Sequence, residues 1–275
     1  MPIDRLFVEG RLDATILAAL CRGMPTVERV GGKLLLVTRV TDALQLGQRA
    51  AYLRDRDFDF EPGGRSDEPV IDRATAQGAP LGWRWSRHSL ECYLLEPSLV
   101  ADAVLAVAGN YESALQAAAA SIRWYQAARW AIGSSRQAMV RWYRLDTGVD
   151  SGKDFILPGR LDPVSVSGWM DAHVAEYRNA WNSELEPGLL RERFDGYARR
   201  FDDGLVHDST RILRWFSGKD LMAALAGRLS SVGLQAPGEF RARIRDWVLD
   251  NPEQALALLP EWRILRDRLA ASPGP

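Results

Sequence analysis

Acidic side chains at three places in the first hundred residues have the types and spacing to hold a divalent cation. They are Glu9 with Asp13 in FVEGRLD, the run Asp55, Asp57 and Asp59 in LRDRDFD, and Glu91 in RHSLECYLLEP. Carboxylates brought together repel one another, and a hard cation removes that cost by binding their oxygens. Magnesium, or manganese in its place, suits such a set. It takes a few carboxylate oxygens, keeps several waters, and can activate one of them while stabilising a leaving oxygen. Taken singly, each group has a plainer explanation. An ExxxD is also a helix-start charge, and DxD spacing is shared by metal-dependent glycosyltransferases and aspartate phosphatases. The phosphatase motif calls for Thr or Val after its second Asp, where Phe58 stands, and a glycosyltransferase would leave Glu9 without a role.

The elements around these acids read as a parallel sheet with crossover helices. Short apolar runs predict strands over 6–9, 26–30, 50–54 and 82–86, and helical periodicity predicts helices over 12–21 and 34–46, the second entered through the turn Gly31, Gly32, Lys33. Such a sheet presents its functional edge at the carboxyl ends of its strands, which is where the acids fall. Residues 61–80, rich in Gly, Pro and acids, read as an exposed loop with at most a short helix. A further helix is expected to open near Ser89. After Pro97, alanine- and arginine-rich helical periodicity takes over. It predicts one long or two stacked helices over 111–143 broken near Gly133, a loop over 146–163, and helices over 164–181, 188–201, 208–216, 220–232, 237–249 and 261–270. The expected organisation is an α/β domain over 1–108 followed by a helical domain over 109–275.

Taken together, FVEGRLD, the GGK turn, LRDRDFD and RHSLECYLLEP resemble the Toprim domain. Within that superfamily they are most similar to OLD-type nucleases, nearest the nuclease effector subunit of PARIS-like bacterial anti-phage systems. The resemblance covers the first hundred residues. It implies a Rossmann-like, mostly parallel sheet and a magnesium-dependent endonuclease that cleaves nucleic-acid phosphodiesters, DNA or RNA. Residue by residue, it matches Glu9 to the strand-end glutamate, Asp13 to the second acid of ExxxD, and Asp55 and Asp57 to the DxD pair. Asp59 becomes an auxiliary acid, and Glu91 a metal or water-positioning residue. OLD-type nucleases also use a lysine downstream of the acids. Of the two SGKD strings, the one holding Lys219 in WFSGKDLMAAL matches better than the one holding Lys153. The resemblance further implies an ABC-type ATPase partner that restrains the nuclease, and a homodimer as its active form. A Toprim fold that binds without catalysing remains the alternative of a different class.

Other residues carry weaker signals. His88 stands three residues before Glu91, where it could orient a water or cap a helix; His173 and His207 read as structural or surface residues. Lys33 reads as a turn residue or a phosphate contact. Arg123, Arg129, Arg136, Arg141 and Arg144 lie among Trp124, Tyr125, Trp130, Trp142 and Tyr143, a pattern that either grips nucleic acid or places aromatics in a core beneath solvated arginines. Arg241, Arg243 and Arg245 read as a solvated face, and Trp169, Trp181, Trp215, Trp247 and Trp262 as packing anchors. Lys and Arg number 35 against 36 Asp and Glu, so the formal charge is -1 and no large positive field holds nucleic acid nonspecifically. Two cysteines, Cys21 and Cys92, make neither a disulfide framework nor a four-ligand zinc site. With no signal-like start and no membrane-length apolar run, the expectation is a reduced, cytoplasmic protein.

Overall fold

The computed structural model describes residues 2–63, 67–104, 109–146, 164, 168, 175, 178–179, 181–202, 204–229 and 236–271, the side chains of 138–146 excepted. Nearly all of the loop expected over 146–163, most of the helix expected over 164–181, and Lys153, Trp169 and His173 lie outside the described residues. No helix among the described residues is long and apolar enough to cross a membrane.

The fold is α/β, with a five-stranded, mostly parallel sheet. The strands β1 (Arg5–Val8), β2 (Thr26–Arg29), β3 (Ala50–Arg54), β4 (Val70–Ala74) and β5 (Pro80–Arg84) lie in the order β2-β1-β3-β5-β4. The pairs β1 with β2, β1 with β3 and β3 with β5 are parallel, and β4 runs antiparallel to β5. In β1, Leu6, Phe7 and Val8 are all buried, as are Ala50, Ala51, Tyr52 and Leu53 in β3. Continuous apolar runs of this kind mark strands covered on both faces. Helix α1 (Arg11–Leu20) buries Ile16, Leu17 and Leu20. Helix α2 (Lys33–Gln45) buries Leu36, Val40 and Ala43, which pack on Phe7, Ala50 and Tyr52. Burying each leucine of this set contributes about 2 kcal/mol.

Strand β4 corrects the expectation of a loop over 61–80. Its VIDRA sequence leaves Ile71 half exposed, and burial alone would not make it a strand. Pairing with β5 does so through a tight hairpin, in which the Thr75 N–H donates to the Ala79 carbonyl at 2.7 Å and Gly78 takes a φ of +84°.

Beyond the sheet run α3 (Leu90–Leu94), α4 (Pro97–Ala103), α5 (Tyr111–Asp146), α6 (Pro187–Asp202), α7 (Ser209–Trp215), α8 (Gly218–Leu229), α9 (Pro237–Asp250), α10 (Pro252–Leu258) and α11 (Pro260–Ala271). Helix α5 continues through Gly133, where a break was expected. The chain forms two compact units, residues 1–122 with 204–275, and residues 123–203. This division differs from the expected boundary at 108, because the last helices return to the sheet. Helix α9 packs on α1, α4 and α8. The Ile3 N–H donates to the carbonyl of Leu269 at 2.9 Å. A buried aromatic cluster joins Trp85 to Tyr93 and Tyr93 to Trp262, at 5.0 and 5.8 Å between ring centres.

Among the expected packing anchors, Trp262 is buried and Trp181 is exposed. In the unit formed by 123–203, Trp130 is buried against Tyr197, whereas Trp124 and Tyr125 are exposed. The aromatics of α5 are therefore divided between core and surface. Arg241 and Arg243 are exposed, in keeping with a solvated face.

Candidate metal centre

The sheet register brings the first two acidic groups together. Val8 of β1 pairs with Leu53 of β3, so the chain leaves both strands side by side at their carboxyl ends. There the Asp55 N–H donates to Glu9 Oε1 at 3.3 Å. Gly10 then turns the chain into α1, whose first turn carries Asp13. A Cβ at Gly10 would lie 2.5 Å from Asp13 Oδ2, so the small residue is what lets this carboxylate fold back toward the strand ends.

The DxD loop is held by the segment after β5. The Leu90 N–H, at the start of α3, donates to Asp55 Oδ1 at 3.1 Å, and the Asp57 N–H donates to the His88 carbonyl at 2.8 Å. Asp57 adopts a φ of +49°, a left-handed conformation that Asp tolerates better than most side chains. His88 is buried, its ring edge-on to Phe58 at 4.4 Å and its Nδ1 3.8 Å from Asp57 Oδ1. Glu91, in the first turn of α3, is buried as well. Lys219, at the start of α8, reaches to 3.7 Å from Glu91 Oε1. That approach depends on Gly218, where a Cβ would sit 2.7 Å from Glu91 Cβ and from the Cys92 backbone nitrogen.

These groups share one electrostatic field. Burial pushes Asp55 well above the usual carboxylate range, and Asp13, Asp57, Glu91 and Glu9 push the same way. Burial raises Glu9 to about 7; Asp57 adds to that, while Lys33, Arg54 and the Asp55 N–H oppose it. Asp13 rises to about 6, through burial and then the neighbouring Glu91. Lys219 is raised by Glu91 first, against the opposing effect of burial, and by Asp55, Asp57 and Asp13. Five carboxylates and one lysine, delivered by the ends of β1 and β3 and the starts of α1, α3 and α8, thus bear on one another.

Asp59 stands apart. It is ion-paired with Lys33 at 2.7 Å and with Arg54. Burial would raise it, but hydrogen bonds and charge from these two cations hold it at about 2. Both cations meet its Oδ2, and the pairing makes Asp59 an anchor of the loop. Lys33 also pairs with Asp57, which makes it a bridge within the acidic loop.

Among the described residues, no three His, Cys, Asp or Glu side chains converge as a ready-made ion cage. The donor set still fits magnesium, which takes one or two direct carboxylates and fills its octahedron with water and substrate oxygens. Glu9, Asp55 and Asp57 have the hard oxygens for direct contact, with Asp13 and Glu91 beside them.

Two features escaped the sequence reading. Arg56, inside the DRD triplet, is 2% exposed and donates to the carbonyls of Ser86, Phe60 and Arg214. Charge runs are usually solvated, so nothing in the sequence marked this one as interior. Glu261 is also buried, accepting from the Ser86 N–H at 2.8 Å and from the Ser86 and Tyr93 hydroxyls. Its place at the start of an expected helix gave no sign of this burial. No protein-family model matches the chain, and no curated protein matches it.

Proposed function

We propose that this protein is a magnesium-dependent nuclease of the Toprim type, cleaving phosphodiesters of DNA or RNA. The observation that carries the reading is the shared field of Glu9, Asp13, Asp55, Asp57 and Glu91 with Lys219 at the carboxyl edge of a mostly parallel sheet. Mutual repulsion among partly buried carboxylates is costly without a cation, and such strongly perturbed groups mark functional sites more often than structural ones. The strand-end glutamate and the DxD pair are also the residues on which the Toprim resemblance rests.

Magnesium, when bound, would supply charge neutralisation and an activated water. Glu9, Asp55 and Asp57 hold it, and Asp13 and Glu91 complete the acidic wall or a second position. The buried start of α3 limits water around Glu91, which orients what approaches from the acid side. Lys219 offers a positive charge to the phosphoryl group as negative charge develops there, a contribution of about 3 kcal/mol in comparable sites. Asp59, Lys33 and Arg54 keep the loop in place.

The test is incubation of the purified chain with magnesium or manganese and a panel of plasmid, single-stranded DNA and transfer RNA, with Asp57→Asn as control. Metal-dependent cleavage lost in the control is the expected result. No cleavage of any substrate by the unrestrained chain would favour a binding role for the same fold. The Toprim resemblance extends the reading to a bacterial anti-phage effector, dimeric when active and restrained by an ABC-type ATPase. Co-expression with such an ATPase, followed by size-exclusion chromatography, is expected to give a silent complex. A chain that elutes alone and cleaves constitutively overturns that regulation.

A further inference from the structure

We propose that Arg56 is a positioning residue that sets Lys219 over the acidic edge. Its backbone lies between Asp55 and Asp57, but its side chain turns into the interior, away from the acids it separates in sequence. There the Nε–H donates to the Ser86 carbonyl at 3.1 Å, one terminal nitrogen donates to the Phe60 carbonyl, and the other to the Arg214 carbonyl. One planar group therefore ties the DxD loop to the segment leaving β5 and to the last turn of α7. A buried guanidinium is expensive to desolvate, and a packed apolar side chain would serve stability at least as well. Three carbonyls from three separate segments are instead what a rigid fork of five N–H donors can satisfy.

Arg214 is where this tie reaches the lysine. Four residues separate it from Lys219, and the stretch between them is fastened on its other side to α3. Cys92 Sγ contacts the Phe216 carbonyl at 3.3 Å, and Gly218 lies against the backbone of Glu91 and Cys92. The junction of α7 and α8 is thus held from the DxD loop by Arg56 and from α3 by Cys92 and Gly218. The DxD acids and the lysine, more than 160 residues apart in sequence, gain a common reference through the Arg56 side chain. The kinetic consequence rests on the nuclease reading; the placement of Lys219 does not.

The chain contains only three lysines, Lys33, Lys153 and Lys219, which makes the test direct. Reductive methylation of the full chain with 13C-formaldehyde gives three lysine signals and that of the amino terminus, and Lys219→Arg identifies the Lys219 signal by its loss. Glu91→Gln is expected to move that signal, because it removes the neighbouring charge. Arg56→Met, which adds no lysine, is expected to move it toward the position of a lysine in water, and Gly218→Ala, which displaces α8 from the other side, is expected to move it as well. A Lys219 signal that responds to Glu91→Gln and to Gly218→Ala but is unmoved in Arg56→Met overturns the proposal. Where metal-dependent cleavage is measurable, Arg56→Lys is expected to lower kcat by about tenfold with KM within about twofold, and to add nothing in a Lys219→Ala background. Losses that multiply across the two variants overturn it too. A chain that never cleaves overturns the nuclease reading alone, since the lysine signal still decides the role of Arg56.

Discussion

Glu261 and the acids of the strand edge lie in the same compact unit and are treated in opposite ways. Glu261 is enclosed by neutral donors, the Ser86 N–H and the hydroxyls of Ser86 and Tyr93, with the Arg87 guanidinium stacked on the Tyr93 ring at 4.7 Å. Burial still raises it, yet every neighbour named here works against that rise. At the strand ends the balance is reversed: Asp55 receives one backbone N–H, and its other strong neighbours are four more acids. A structural carboxylate is satisfied by its surroundings. At the strand edge Lys33 meets Asp57 and Lys219 approaches Glu91, so five carboxylates share two lysines, and added positive charge would relieve them further. Asp59 makes the same point from within the loop, since Lys33 and Arg54 already neutralise it.

The sharpest way to break this comparison is to neutralise one acid on the strand edge. Asp55→Asn keeps an acceptor for the Leu90 N–H and removes a repelling charge, so stability without metal is expected to be unchanged or higher by about 1 kcal/mol. Metal-dependent cleavage is expected to fall by about a thousandfold or more, as for loss of an essential metal ligand. Thermal melts with and without manganese, alongside cleavage rates, read both. A variant that melts well below the wild type would mean Asp55 is structural, like Glu261.

Glu261→Ala is the converse. It strands the Ser86 and Tyr93 donors in the interior, and a loss of about 3 kcal/mol in urea unfolding is expected. Glu261→Gln retains one acceptor and should lose about half of that. If Glu261→Ala is neutral, buried acids in this protein cannot be sorted by their donors.

Acidity sharpens the contrast further. Glu9 and Asp13 have folded values raised to about 7 and about 6, above those of an unfolded chain, so the folded form binds more protons between those limits. Stability without metal is therefore expected to rise as pH falls from 8 to about 5, by about 2 kcal/mol. Saturating magnesium should flatten the slope, because a bound cation replaces the protons. Glu9→Gln should flatten it without metal. A flat profile for the metal-free wild type would remove the basis for a strained acidic edge.

The smallest effect is expected at the clamp. Lys33→Ala removes one of the two cations holding Asp59 at about 2. A depressed acid contributes stability above its unfolded value, lost as pH falls through the folded one. The variant should lose about 0.5–1 kcal/mol at neutral pH, with the difference from wild type shrinking between pH 4 and 2. Equal melting of the two chains across that range would show that Arg54 alone sustains the pair.

Much of the edge was legible in the residues themselves. Continuous apolar runs such as LFV and AAYL are strands whatever surrounds them, and acids directly after such runs must emerge at the strand ends of a parallel sheet. That local logic placed Glu9, Asp55 and Asp57, and the helical spacing of Ile16, Leu17 and Leu20 placed Asp13. It failed for β4, whose strand character comes from a partner six to fourteen residues away and not from its own burial. It also failed for Asp59, since nothing in DRDFD tells which of three acids will meet Lys33 and Arg54.

What the tertiary structure alone decided is the company each charged side chain keeps. The return of the C-terminal helices to the sheet seats Glu261 under Ser86 and brings Lys219 to Glu91. The burial of Arg56 and its reach to Arg214 depend on the same return. Periodicity reports which face of an element is apolar, but a charge becomes a ligand, a clamp or an internal tie according to the dielectric and the partners around it. Those are set by residues as much as 200 positions away in the chain.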